Sequence, residues 1–186
     1  MQKQHNGFTL IELVIVIIVL GILSATAIPK FLNLRDAAEI SRVKALGAAY
    51  QQAVDNVHIR WNTLGLTRRQ IDMPGFADGT VDVNDNGFPL GTTKGIGGSM
   101  TDPHNIGKRN EACIDLWVIL LEIPPTVSLT KDGSDFQAYK MTDDNGYKSQ
   151  CHYIFRVLGD EAEKIADAKV SIKYDSVIGK VTTTIQ

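Results

Sequence analysis

The sequence predicts an α+β protein: a long N-terminal α-helix, transmembrane in its first half, packed against an antiparallel β-sheet head. Three observations predict it. Residues 8–29 form a mostly apolar run in which Glu12 is the only ionisable side chain, apolar positions then recur at helical spacing as far as Val57, and the C-terminal part reads as short strands separated by turn residues.

Residues 1–7, Met1-Gln-Lys-Gln-His-Asn-Gly7, form a polar leader with Lys3 and no acidic residue, a bias that keeps it on the cytoplasmic side while the rest is exported. The run from Phe8 to Pro29 supplies 22 residues, and a bilayer needs about 20. A cleaved secretory signal is the plain alternative, since Ser24-Ala-Thr-Ala27 offers small residues for a cleavage site. Against it, an export signal has no use for a carboxylate near its start, where charge costs up to about 2.5–3.5 kcal/mol at mid-membrane. The helical pattern also continues past Pro29 without a polar break.

Over residues 30–65 the pattern becomes amphipathic. Phe31, Leu34, Ala38, Val43, Leu46, Ala49, Ala53 and Val57 read as one stripe, with Lys30, Arg35, Asp36, Glu39, Arg42, Lys44 and Asp55 between them. A helix from Phe8 to about Trp61 would be roughly 80 Å long, more than a single small core requires. Thr63-Leu-Gly65 supplies its end. Gly21 and Pro29 are its weak points, because Gly21 lowers helix propensity and Pro29 cannot donate to the carbonyl of Ala25.

The heptapeptide Gly7-Phe8-Thr9-Leu10-Ile11-Glu12-Leu13 resembles the start of the type IV pilin superfamily, and the run from Gly21 to Arg35 is most similar to the mannose-sensitive haemagglutinin (MSHA) type of pilin. The resemblance is strong over roughly the first 60 residues and weak beyond. It implies the pilin fold, cleavage between Gly7 and Phe8 by a prepilin peptidase, and N-methylation of Phe8. It also implies that the helix between Gly21 and Pro29 melts on assembly; a modest kink at Pro29 is the plainer alternative. Physical chemistry gives Glu12 its own role. The new Phe8 amine and the positive end of the helix attract an anion, and Glu12 pairing with the Phe8 amine of a neighbouring subunit would fix axial register, because a slip leaves two charges unpaired in apolar surroundings.

The head occupies residues 66–186, opening with a long glycine-rich loop over 66–112. Within it Asp82, Asn84 and Asn86, followed by Gly87, resemble the opening of a calcium loop, although Thr93 stands where a closing glutamate would. The same residues suit a metal-free hairpin turned at Asn86-Gly87. Cys113 and Cys151 are the two cysteines. In an exported protein they suit a disulfide bounding residues 113–151, worth roughly 3–4 kcal/mol for a loop of about 38 residues. A catalytic thiol beside His152 is the alternative, disfavoured because adjacent strand residues point to opposite faces. A hairpin turned at Asp143-Asp-Asn-Gly146 and another joining Lys169–Tyr174 to Lys180–Ile185 follow, with a short helix expected over Gly159–Asp167. Cys113–Leu121 is a short helix or a strand, stopped by Pro124-Pro125.

The formal net charge is −2, and removing the single positive charge of Lys3 with the leader takes it to −3, so there is no basic field for direct nucleic acid binding. His58, His104 and His152 have no metal-ligand spacing, and Gly95-Ile-Gly97-Gly98 lacks the strand-to-helix setting of a phosphate loop. No enzyme is expected. The resemblance leaves two functions. One is a subunit of an extracellular MSHA-like pilus for surface attachment, inserted in the inner membrane before assembly. Its partners would be pilin subunits, prepilin peptidase, an inner-membrane assembly platform and a surface receptor, and it could also serve motility or DNA uptake. The other is a type II secretion pseudopilin, with calcium as its conceivable cofactor.

Overall fold

The computed structural model describes residues 8–94, 102 and 104–186. Helix α1 runs Leu10–Thr63 and passes through Pro29 without a break. It ends at the expected place. Gly65 takes a positive φ of 67°, its N–H donates to the Asn62 carbonyl, and the Leu66 N–H donates to that of Trp61. That is the Schellman arrangement, which glycine adopts without the steric penalty of a Cβ.

The chain divides into two compact units, one ending at Glu39 and one running Ile40–Gln186. In the first unit no described residue is buried. The stripe from Phe31 to Val57, expected to be buried at least in part, is buried only in its second half: Phe31, Leu34 and Ala38 are exposed, and burial of α1 is seen only from Val43. In the second unit the buried residues of α1 are Val43, Gly47, Tyr50, Val54, Val57 and Trp61, while Ala49 lies exposed and Leu46 and Ala53 are only half-buried. The stripe is rotated because two of its members do not look apolar. A Cβ on Gly47 would meet Thr183 Oγ1, so glycine here lets a strand approach the helix. Tyr50 buries its ring and satisfies its hydroxyl against Tyr153 OH at 3.1 Å.

Those residues pack on a five-stranded sheet made of β3 (Val127–Ser128), β4 (Phe136–Met141), β5 (Gln150–Phe155), β6 (Val170–Asp175) and β7 (Lys180–Ile185), in that order. The pairs from β4 to β7 are antiparallel, while the short β3 runs parallel to β4, so the sheet is largely rather than wholly antiparallel. A small antiparallel pair, β1 (Asp82–Val83) and β2 (Pro89–Gly91), and helix α2 (Ala112–Leu120) come before it in the chain. Alternation along β5 and β6 sends Cys151, Tyr153, Phe155, Val170, Ile172 and Tyr174 into one core. Trp117 of α2 sits at its centre, its ring centroid 4.4 Å from Tyr153 and 4.8 Å from Phe136, and Tyr50 meets Trp117, Tyr153 and Tyr174 at 5.6–5.8 Å. Each polar tip has a partner. Trp117 Nε1 donates to the Pro125 carbonyl at 2.9 Å, Tyr153 OH to that of Cys113 at 2.7 Å and Tyr174 OH to that of Pro89 at 2.8 Å.

The helix expected over Gly159–Asp167 is reduced to one 3₁₀ turn, Ile165–Asp167. Asp160 explains this, because its carboxylate accepts the backbone N–H groups of Ala162 and Lys169, an alternative to helical pairing. At the sheet edge Gln51 of α1 substitutes for a further strand. Its Oε1 accepts the Val181 N–H at 2.6 Å and its Nε2 donates to the Gly179 carbonyl at 3.0 Å.

Candidate assembly site

Thr9 and Glu12 lock the start of α1 reciprocally. The Thr9 N–H and Oγ1–H both donate to Glu12 Oε2, at 2.9 and 2.7 Å, and the Glu12 N–H donates back to Thr9 Oγ1 at 3.3 Å. This is a capping box, in which N-cap and N3 side chains satisfy each other's orphan backbone donors. The pattern Thr-Leu-Ile-Glu announces it in sequence, but reading Glu12 only as a partner for an amine passes over it. Glu12 is therefore a held carboxylate at the head of an apolar helix, with Phe8 beside it 90% exposed. Gly7 and the rest of the leader lie outside the described residues.

From Phe8 to Pro29 no side chain is buried, and α1 is long and apolar enough there to cross a membrane. Gly21 has open space around it, and Pro29 sits inside continuous helix. Such a surface can only be satisfied by lipid or by other apolar helices.

In the head, Asp82, Asn84 and Asn86 hold loops together. Asp82 Oδ1 accepts the Asp72 N–H at 3.0 Å, and Asn84 Oδ1 accepts those of Asn86 and Phe88, both at 2.9 Å. The side-chain amides of Asn84 and Asn86 donate to the carbonyls of Ser176 and Val177. Gly87, at φ 77°, forms the turn against Trp61, where a Cβ would meet the indole. The expected hairpin is thus present, and its side-chain oxygens at Asp82 and Asn84 are committed to N–H donors. Thr93 Oγ1, at the closing position of a calcium loop, faces the Lys108 N–H at 3.5 Å. Among the described residues no group of three His, Cys, Asp or Glu converges.

Cys113 of α2 and Cys151 of β5 form a disulfide with Cα atoms 5.5 Å apart, leaving no free thiol for catalysis. His152 points to the opposite face and meets Gln150 Oε1 at 3.1 Å. Burial, and then the charge of Lys173, hold its imidazole down at about 4, with Asp175 offsetting part of the shift. The turn at Asp143–Gly146 forms as expected, with Asp143 Oδ1 accepting the N–H groups of Asn145 and Tyr147. Residues that the sequence did not single out, Gly47, Tyr50 and Gln51, set how the helix meets the sheet.

The prokaryotic N-terminal methylation motif matches residues 2–28. The chain is 53% identical over 50 residues to the type IV narrow pilus major component of Thermus thermophilus, covering 27% of this chain and 43% of that protein. It is 38% identical over 52 residues to type II secretion system core protein G of Pseudomonas aeruginosa, covering 26% and 37%. A fimbrial protein of Pseudomonas aeruginosa is 27% identical over 135 residues, covering 71% of this chain and 84% of that one. The match thus spans less than half the length of the first of these curated relatives. No solved structure matches. With a methylation motif over residues 2–28, pilin and secretion relatives matched over the same apolar helix, and a largely antiparallel sheet on the helix's second half, the chain is similar at its N-terminus to type IV pilus and type II secretion proteins and, more distantly, to a fimbrial protein over most of its length.

Proposed function

We propose that this chain is a subunit of an extracellular type IV pilus of the MSHA-like kind, serving surface attachment. The observation that carries it is the run Phe8–Pro29, unburied along its length and headed by one carboxylate. The precursor sits in the inner membrane, prepilin peptidase cuts between Gly7 and Phe8, and the new amine is methylated, which leaves it cationic. An inner-membrane platform then moves the subunit into a helical filament. There Glu12 exchanges its Thr9 partners for the Phe8 amine of a neighbour, giving each incoming chain one axial position. The stretch between Gly21 and Pro29 unwinds in the filament, since it combines the lowest propensity with a missing backbone donor.

Filaments sheared from producing cells and weighed intact test this. Expected is a chain that begins at Phe8 with one added methyl group; a chain that keeps residues 1–7, or has lost everything through Ala27, would end the proposal. Replacing Glu12 with Ala should abolish filaments, and normal yield would remove its assigned role. The relation to a type II secretion protein supports a second reading, a periplasmic pseudopilus that drives export. Deleting the chain separates the two: loss of surface filaments supports the pilus, and loss of protein secretion with filaments intact supports the pseudopilus.

A further inference from the structure

The part of α1 from Lys30 to Arg35 has no cover of its own. It lies beyond the apolar run that a bilayer would enclose and before Ile40, where the head unit begins. Phe31 and Leu34 are 70% and 59% exposed, Leu32 is exposed beside them, and Lys30 and Arg35 flank all three. Contiguous apolar side chains bounded by charge mark an interaction surface.

The head carries a surface of matching chemistry. Between α2 and the loop before it lies a groove of about 370 Å³ lined by Asp78, Thr80, Thr92, Asp115, Val118 and Ile119. Val118 is 54% exposed, and Ile123, just past the end of α2, is 87% exposed. Asp115 Oδ2 is buried with no hydrogen-bond partner among the described residues, and Arg109 Nη2, on a largely exposed side chain, stays 3.9 Å away. Burial pushes the Asp115 carboxyl up, and Arg109 offsets only part of that. The groove therefore has an apolar floor and an acidic wall lacking a close donor, whereas Lys30–Arg35 has an apolar centre and cationic ends.

We propose that the α2 groove of one copy receives the Lys30–Arg35 segment of a second copy, with Arg35 reaching Asp115 and with Phe31 and Leu34 covering Val118 and Ile119. This rests on the filament reading above and assigns it a contact outside the membrane-length run. Two different patches meet, so the contact is heterologous and repeats from copy to copy without closing, as a filament requires. Acidic lipid headgroups could meet Lys30 and Arg35 but would leave Asp115 and Val118 untouched.

The test uses the full chain in producing cells, with Leu34→Cys and Val118→Cys together, followed by mild oxidation, shearing and peptide mapping. The expected result is a ladder of dimers and higher multimers that needs both new cysteines. Intact filaments with no ladder overturn the docking and leave the filament reading standing. If the unmodified chain makes no filaments, the filament reading fails and the docking fails with it. Should the cysteine pair itself stop assembly, charge reversal decides. Arg35→Glu is expected to cut filament yield about tenfold, and adding Asp115→Arg to restore it. Formation of the Cys113–Cys151 disulfide reports that each head has folded. A double variant no better than the single overturns the docking, as does loss of membrane retention alone on Arg35→Glu.

Discussion

From Leu10 to Glu39 helix α1 buries nothing, whereas from Val43 to Trp61 every third or fourth residue of the same helix is closed off by the sheet and α2. One half has apolar side chains without internal partners; the other completes its core within the chain. The difference separates two kinds of stability. Changes in the second half should be read in unfolding of the head, and changes in the first half in assembly.

The sharpest way to break that comparison is at Trp117, fully buried and in ring contact with Tyr50, Phe136 and Tyr153. Trp117→Ala should cost the head about 3–5 kcal/mol, measured by denaturant unfolding of the detergent-solubilised chain. Ile17→Ala, in the uncovered half, should leave the same transition within about 0.5 kcal/mol while lowering filament yield. Equal effects on head unfolding would erase the distinction. Reducing the Cys113–Cys151 disulfide should remove roughly 3–4 kcal/mol from the head alone, seen as a drop in urea midpoint with reductant.

Next in size is the pH response of His152. Its folded value of about 4 lies below the ordinary 6.5, so the unfolded chain binds more protons. The contribution is complete above pH 6.5 and is lost as pH falls toward 4, amounting to about 2 kcal/mol between pH 7.5 and 5. His152→Gln should flatten that slope, and an unchanged slope would mean that other groups carry it. Smallest is Thr9→Ala, which removes the capping box at a local cost of about 1 kcal/mol. Faster amide exchange in the first turn of α1, with no change in head unfolding, is the expected outcome.

Features fixed by local chemistry were legible in the sequence. The hairpins at Asn86-Gly87 and Asp143–Gly146 and the helix end at Gly65 form where turn and capping residues place them, and the two cysteines of an exported chain pair as expected. The phase of the buried stripe was not, because Gly47 is buried for its lack of a side chain and Tyr50 for its ring, and an apolar alphabet scores neither. The 159–167 segment misled for a related reason. Its acidic and alanine residues favour a helix in isolation, but the Asp160 carboxylate binds backbone donors within the segment and beyond it. At the N-terminus Glu12 is visible as an anomaly, and Thr9, three residues ahead of it, has the capping-box spacing that the reading of Glu12 as an amine partner passes over.

Gln51 has a consequence wherever heads crowd together. The outer border of β7 would otherwise invite another chain to add a strand, and β3, two residues long, offers little at the opposite border. By occupying the Val181 N–H and the Gly179 carbonyl, the Gln51 amide denies an incoming strand its first rungs. Crowded heads thus resist fusing into amyloid-like ribbons.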